Sequence, residues 1–577
     1  MEPRKLRVTL KDMPHRILIV SNFFPPKAIG GAEIVAYRQA RALVARGHHA
    51  VVFAGAEPSS DAPAGTLNYD DYDGLPVYRL ALRSLGPDLN FYWPAAARRL
   101  KAVIASHDID VVHFHNPVGL GANLIPTAKS AARKCIVTLH DHWGFCFQQT
   151  RLRADASVCT NHEECAGCKD SVLPSDNLAL PMRLRRDYVV WCLNQADQLL
   201  VPSGYLAYAY TQAGFPSRLI RVLSNGIELD VVKAQPKMPA ANGMVRFLWS
   251  GYLGEHKGLL VLLEALEILS LESELAGRWQ ITLAGEGHLR PRLEGAMRSG
   301  KLGENVKFVG KLKRSEVLDL LRAIDVSVLT SIWPENEPVT MLEAIASGTA
   351  QIATRLGGNV GLVENAKSGF LIPPNDAAQL ARTMERYILE PDLAARHGAR
   401  NRDRRGDYDE VRTVDQLETI FDSELEPAAA SQEPVIVCGT VWPAKEVTTL
   451  VNRVHDYLLP GLTPRFVWRE WVDAEMWKRV KLVWLWDRHP SEALVITALR
   501  RGVPVLAPTT DWAVGLARHY GGVIVYESYL EALAALRSLF SIPTLTTEFS
   551  WRARASSASA TALAPREAFS LRSESFF

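Results

Sequence analysis

The chain has 577 residues, 47% of them apolar and 22% charged, with a formal net charge of +2. That length calls for several domains, each burying its own core, and the composition is that of a soluble globular protein. A balance so close to neutrality argues against a dominant polyanionic partner and so against nucleic acid.

Residues 1–15 are mixed and charged, an extension with no apolar h-region, so no secretory signal is expected. No eighteen-residue window is uninterruptedly apolar, so no bilayer span is expected and the cytoplasm is the expected compartment. Residues 16–21, Arg-Ile-Leu-Ile-Val-Ser, are a short apolar run suited to a strand buried on both faces. The loop 22–31 carries Pro25, Pro26, Gly30 and Gly31 and leads into an amphipathic helix at about 33–46. Strands are expected at 49–55, 110–115, 135–140 and 198–201, separated by helices such as 93–107 and 181–195. Such alternation predicts a parallel sheet with helices on both faces.

After Asn225-Gly226-Ile227 and a Pro- and Ala-containing linker at 233–242, a second series follows at 245–250, 279–285, 306–310, 325–330 and 350–354. The α/β chain therefore reads as two doubly wound, Rossmann-like domains, 16–225 and 226–425, facing across a cleft. In such sheets ligands sit at the carboxyl ends of the strands. Residues 426–432 read as a linker, and 433–546 as a third α/β region with strands at 434–438, 482–486 and 503–507. Sliding that region by 154 positions puts Gly502 on Gly348, Ala498 on Ala344 and Ala507 on Ala353. Thr497 then falls on Glu343 and His489 on Glu335. This fits a decayed copy of the second half that has lost its carboxylates, or a chance likeness between two βαβ units. The Ser-, Ala- and Arg-rich stretch 547–577 reads as disordered.

The most informative segment runs from Ser331 to Gly348. The strand at 325–330 enters a short acidic loop, and Pro338 opens a helix at a first-turn position, where its missing N–H costs nothing. The helix start leaves the N–H groups of Val339 and Thr340 free for a phosphate. Glu335 and Glu343, eight residues apart, flank that site. Carboxylates beside a phosphate suit a ligand with hydroxyls on both sides of it, as in a nucleotide-sugar.

Five motifs together, over roughly 16–425, resemble the retaining glycosyltransferases of family 4, which have the GT-B fold. They are Phe24 to Glu33 with Gly30-Gly31, Asp110 to Asn116 around His115, Asn225-Gly226-Ile227, His256-Lys257-Gly258, and Glu335 with seven residues before Glu343. The resemblance implies transfer of a hexosyl unit from a nucleoside-diphosphate sugar to a hydroxyl of a glycan, glycolipid or small glycoside, with retention and no catalytic metal or cofactor. It implies that Glu343 accepts hydrogen bonds from ribose, that Glu335 meets donor-sugar hydroxyls, and that Lys257 neutralises the diphosphate with the help of Val339 and Thr340. It further implies that Gly30, Gly31 and Gly251 border the donor, that His115 faces the donor sugar, and that Gly310, Lys311 and Leu312 line a slot for the base. Two positions depart from the family pattern. Tyr252 follows Gly251 where an arginine is usual, and Gly361 stands where the family tends to place a glutamate.

His140 and Asp141 follow the next strand and are candidates for the acceptor side. Cys146, Cys159, Cys165 and Cys168 cluster in an insertion at about 143–175 and suit a structural zinc site, four reduced thiols or a redox pair. Asp71-Tyr72-Asp73 and Asp108-Ile109-Asp110 have the Asp-x-Asp spacing of metal-dependent glycosyltransferases, but their turn and strand-start settings read as structural. Arg183 to Arg186 with Tyr188 and Trp191 form a basic, aromatic pattern, either a solvated helix face or a peripheral contact at the inner membrane surface. Two rival readings stand beside transfer: another enzyme on the same fold, such as an epimerase or phosphorylase, and a non-catalytic nucleotide-sugar scaffold. Oligomeric state is not legible.

Overall fold

A computed structural model describes residues 14–28, 30–83, 93–160, 168, 171–172, 180–181, 189–190, 192–234, 243–302, 304–423 and short stretches between 435 and 535. Cys165, the basic pattern 183–186 with Tyr188 and Trp191, His489, Gly502 and the tail 547–577 lie outside the described residues. The chain forms two compact units, one made of 1–170, 174–176 and 195–424, the other of 171–173, 177–194 and 425–577.

The first unit holds both doubly wound domains. Its N-terminal sheet begins with β1 (Arg16–Ser21), β2 (His49–Ala56), β3 (Leu67–Tyr72), β4 (Leu75–Ala81), β5 (Val111–His115) and β6 (Lys134–Thr138). The two-residue strands β7 (Ser171–Val172) and β8 (Leu180–Pro181), which belong to the second unit, pair with each other, and β9 (Gln198–Val201) and β10 (Ile220–Val222) complete the large sheet. Strand order is β10-β9-β6-β5-β1-β2-β4-β3, parallel except for the β3–β4 hairpin. β1 is central, and Ile17 to Val20 are fully buried between β2 and β5, as a continuous apolar run requires.

The β3–β4 hairpin is not anticipated by the hydrophobic pattern, because β3 is an exposed polar edge strand. The two Asp-x-Asp pairs are structural. Asp71 accepts from the Gly74 N–H (2.9 Å) in the hairpin turn, Asp73 accepts from the Tyr37 hydroxyl (2.7 Å), and Asp110 accepts from the Arg16 N–H (3.3 Å).

The second sheet comprises β11 (Val245–Ser250), β12 (Trp279–Ala284), β13 (Val306–Gly310), β14 (Val326–Leu329), β15 (Ala350–Thr354) and β16 (Gly369–Ile372). Its order, β13-β12-β11-β14-β15-β16, reverses direction between β11 and β14, which opens a crevice at the strands' carboxyl ends. Trp249 and Trp279 are buried in its core against the apolar helix Leu259–Leu271.

The helix Glu410–Asp422 does not stay with the second domain, where a boundary at 425 would place it. Its Val414, Leu417, Ile420 and Phe421 belong to the core built around Ile17, Ile19 and Ala36. Lys134, buried on β6, donates from Nζ to the Ile420 carbonyl (2.6 Å) and caps the helix's carboxyl end. The chain thus crosses between the domains twice, after β10 and before this helix.

The second unit carries β17 (Val435–Cys438), β18 (Arg465–Trp468), β19 (Val480–Trp484), β20 (Val505–Pro508) and β21 (Val523–Tyr526) in parallel order β18-β17-β19-β20-β21. That is the order of the second sheet without its β13 edge. β21 follows β16 by 154 positions (523 − 369), and Val505 faces Val523 at the same 18-residue separation as Gln351 and Gly369. The preceding pair differs: Leu329 faces Ala353, 24 residues on, whereas Val483 faces Val505, 22 on. A two-residue slip keeps each side chain on its face.

Candidate active site

The two sheets of the first unit bound a cleft of about 840 Å³, walled by Asn22, Gly31 and His140 on one side and Lys257, Glu335 and Val339 on the other. Its second-domain wall is the loop from Ser331 into the helix Val339–Ser347, whose first residue follows Pro338 with no side-chain cap. Val339 and Thr340 open the helix and line the cleft, so their N–H groups lie at its wall, as an anion site requires. Gly31 approaches this helix closely. A Cβ on it would lie 3.0 Å from Val339 Cγ2, whereas one on Gly30 meets nothing nearer than 3.8 Å.

Glycines elsewhere set the loop. Gly258, at φ +70°, turns the chain after Lys257, and a Cβ there would sit 1.9 Å from the Thr330 carbonyl oxygen. Thr330 donates to the Lys257 carbonyl (2.8 Å) and the Ile332 N–H to that of His256 (2.9 Å), fastening the lysine turn to the end of β14. Lys257 Nζ then donates to Glu335 Oε1 at 2.6 Å, which also accepts from Ser331 (2.6 Å) and Trp333 (2.9 Å). None of these bonds uses Oε2.

Glu343 is placed otherwise. It is buried in the helix and does not reach the cleft wall; its Oε1 accepts from Arg314 Nε at 3.0 Å. Arg314 also pairs with Glu228 (2.6 Å), and Glu228 with Arg38 (3.1 Å), which reaches Glu410 (3.0 Å) and the Gly226 carbonyl (2.7 Å). Two guanidiniums and three carboxylates thus join the first domain's opening helix to the connecting segments and the second domain. Burial raises the pKa of Glu343, and Arg314 opposes it. Burial works against the charge of Arg314, yet Glu228 and Glu343 hold its pKa above the ordinary value.

The histidines differ from expectation. His115 is fully buried and off the cleft wall; His140, two residues beyond β6, occupies the wall instead. His115 Nδ1 and His140 Nε2 share a hydrogen bond of 3.1 Å with the rings stacked, while His113 bonds Thr138 (2.7 Å). Strand pairing explains this. His115 faces Thr138 across β5 and β6, so the longer reach of the β6 loop covers it. Asp141 lines the cleft and spends one carboxylate oxygen on the Trp143 N–H (2.6 Å).

Burial pushes His140 down to about 4 and His113 down to about 3, so both stay neutral near pH 7. The unfolded chain takes protons on these rings near pH 6.5, which the folded chain refuses until near pH 4 and 3. Stability therefore falls on acidification from about pH 6.5, by up to roughly 1.4 kcal/mol per pH unit for each histidine. Glu337, raised to about 7 by burial, acts oppositely between pH 4.5 and 7. Melting curves of wild type and His113→Gln across pH 7 to 4.5 check this. The variant should show the flatter slope, and parallel curves would refute the assignment.

Gly310, Lys311 and Leu312 do not line the cleft; Lys311 is exposed and Leu312 packs on the second domain's core. Gly251 and Tyr252 do line it, with Tyr252 half exposed and stacked on His256. Lys257 is the one lysine or arginine among the described residues of the wall. Among the described residues no group of three or more His, Cys, Asp or Glu is placed to hold a metal, and Cys165, one of the four expected zinc ligands, lies outside them. Cys146 and Cys159 are half buried and Cys168 is exposed. No helix of the described residues is long and apolar enough to cross a membrane.

Sequence reasoning missed Asn336, Glu337 and the Arg38–Glu228–Arg314 chain. Glu337 accepts from the Asn225 N–H (2.6 Å) and Ser224 hydroxyl (2.9 Å), tying the acidic loop to the domain connector. One signal was available: Arg38 falls among Val35, Ala36, Gln39 and Ala40 on the buried face of its helix.

Residues 29–231 match the family model described as Glycosyltransferase Family 4, and 233–404 the one described as Glycosyl transferases group 1. The chain is 28% identical to the glycogen synthase of Mycobacterium tuberculosis over 393 residues, 67% of this chain and 88% of the relative. It is 23% identical to the phosphatidyl-myo-inositol mannosyltransferase of Mycobacterium leprae over 399 residues, 68% of this chain and 93% of the relative. Among solved structures, Anabaena Alr3699/HepE in complex with UDP and glucose superposes with a TM-score of 0.52 at 19% identity, covering 71% of this chain and 100% of that one, a likeness of fold.

Proposed function

The chain belongs to the family 4 glycosyltransferases, and on that premise we propose that it moves a glycosyl unit from a nucleoside-diphosphate sugar to a hydroxyl of a glycan, glycolipid or small glycoside, with retention and without a metal ion. The observation that carries this reading is the Lys257–Glu335 pair beside the open start of the helix Val339–Ser347, within one cleft bounded by both sheets. The diphosphate would lie on Lys257 and the N–H groups of Val339 and Thr340. The donor sugar would offer hydroxyls to Glu335 Oε2 and to His140, which takes the place assigned on sequence to His115. Asn22 and Asp141 are assigned to the acceptor side, and Glu343, behind the wall on Arg314, is given no ligand contact.

Retention follows from front-face substitution. The bond from the anomeric carbon to the diphosphate oxygen breaks, a bond to the acceptor oxygen forms on the same face, and the departing oxygen takes the acceptor proton. Lys257 and the helix start stabilise the charge that develops on the leaving group. The neutral His140 positions a sugar hydroxyl and carries no charge through the reaction. Cytoplasmic work suits such a donor, at the membrane's inner surface when the acceptor is a lipid glycoside.

We read residues 433–546 as a copy of the nucleotide half that has lost its phosphate site. At the 154-residue offset Glu492 replaces Pro338 and Thr497 replaces Glu343, and an acid at a helix start repels phosphate. Calorimetric titration of the full chain with UDP, GDP, ADP and TDP and their sugars tests both readings. One equivalent per chain of a single base type is expected, with a thermal stabilisation of about 2.7 kcal/mol at 100 times the dissociation constant. No binding overturns donor recognition. A second equivalent overturns the lost site, and binding without release of diphosphate from the sugar donor favours a scaffold, which Tyr252 in place of arginine would suit.

A further inference from the structure

Glu335, Asn336 and Glu337 are consecutive and each more than nine-tenths buried, yet they are tied to three different places. Glu335 is held by Lys257, Ser331 and Trp333 within its own domain. Glu337 is held by Ser224 and Asn225 at the connector. Asn336 alone of the three crosses the cleft: its Nδ2 donates to the backbone carbonyl of His140.

The backbone beneath Asn336 cannot drift. The Gly358 N–H donates to the Glu335 carbonyl (2.6 Å), and Gly357 lies at φ +55°. A Cβ would lie 2.1 Å from the Glu335 oxygen at Gly357 and 1.5 Å from the Asn336 oxygen at Gly358. Two glycines therefore let a second strand of chain lie directly against this loop and fix the direction in which Asn336 projects. The partner is a carbonyl, so only the amide nitrogen can make the bond, which sets the orientation of the carboxamide. His140 has the complementary need. It sits two residues past the end of β6, outside the sheet ladder, and its ring is tied to His115.

We propose that Asn336 is a positioning residue that seats His140 against the donor sugar from the opposite domain, so that the wall carrying the donor also aims the histidine. This rests on the assignment of His140 to the donor sugar. Domain closure and histidine placement then become one event, because the loop that grips the donor through Glu335 holds His140 through the next residue. Asn336→Asp keeps the size but, when ionised, has no donor for the carbonyl, and Asn336→Ala removes the bond without adding charge.

The test compares Asn336→Asp, Asn336→Ala and His140→Ala with wild type in the full chain. Turnover is read as release of nucleoside diphosphate from its sugar donor at saturation. Affinity is measured for whichever of UDP, GDP, ADP or TDP the wild type binds, and thermal stability is followed in parallel. Both Asn336 variants and His140→Ala should lose about tenfold or more in kcat, as a small misplacement of a reacting geometry does. Nucleotide affinity should stay near that of wild type in all three, and so should the melting temperature of Asn336→Ala, whereas Asn336→Asp melts lower because it buries a carboxylate against a carbonyl. Full turnover in both Asn336 variants with a crippled His140→Ala overturns the positioning role and leaves the histidine assignment standing. Full turnover in His140→Ala overturns the assignment and the inference with it. Joint loss of turnover, nucleotide affinity and melting temperature in both Asn336 variants reduces the residue to a structural part and also overturns it.

Discussion

Lys257→Ala is expected to lower turnover about 10²–10³-fold, a transition-state loss on the order of 2.7–4 kcal/mol, as for removal of one preorganised donor. The effect is large because nothing else on the wall can replace the ammonium. Lys257 is the one lysine or arginine among the described lining residues, and Tyr252 stands where a second fixed cation is usual in the family. The lysine is also held before any ligand arrives, by the Gly258 turn against Thr330 and by a contact of 5.2 Å to the Trp333 ring. A group already in place loses little freedom when charge appears on the departing oxygen. Donor affinity should fall too, but by less, since the diphosphate gains charge only as its bond to the sugar breaks. Steady-state rates at saturating donor, set beside nucleotide affinity, separate the two effects. Unchanged kcat with weakened affinity would make Lys257 a ground-state anchor and move the charge stabilisation wholly to the helix start.

How far the sequence shows this site depends on whether a residue acts through its neighbours in the chain or through distant ones. The positions of Glu335, Val339 and Thr340 on the wall are legible because local pattern places them after a strand, in a short acidic loop and at a Pro-led helix start, while Lys257 is singled out by the resemblance through its Lys-Gly motif. The wide layout of two parallel sheets was legible for the same reason, since strands buried on both faces are continuous apolar runs. Register between strands was not legible. β6 ends at Thr138, opposite His115, and that pairing buries His115 and brings forward His140, a swap no spacing reveals. Nor could the burial of Arg38 be weighed from its own segment, because its partners lie 190 and 372 positions away at Glu228 and Glu410 (228 − 38 and 410 − 38). The return of the helix Glu410–Asp422 to the first domain was hidden likewise. Its amphipathic face reads the same whichever sheet it covers.

Arg314→Met is expected to destabilise the first unit by about 3 kcal/mol, the lower end of the cost of leaving one member of a buried ion pair without its partner. The lower end applies because the Arg314 side chain is 30% exposed, so water screens part of the interaction. Glu343 is the residue left behind. Only 4% exposed, with a pKa already raised by burial, it would lose its one cationic hydrogen-bond donor, whereas Glu228 would keep Arg38. The sign of the pH dependence follows. A carboxyl whose folded pKa lies above its unfolded value contributes most when protonated, and that contribution is lost as pH rises through the folded value. The deficit of Arg314→Met relative to wild type should therefore be larger at pH 8 than at pH 5. Adding Glu343→Gln should recover most of the loss by removing the stranded charge, which a double-mutant cycle in chemical denaturation measures. An equal deficit at both pH values, or a double variant as unstable as the single one, would show that Arg314 serves as packing. In that case Glu343 would owe Arg314 neither its charge nor its place in the helix.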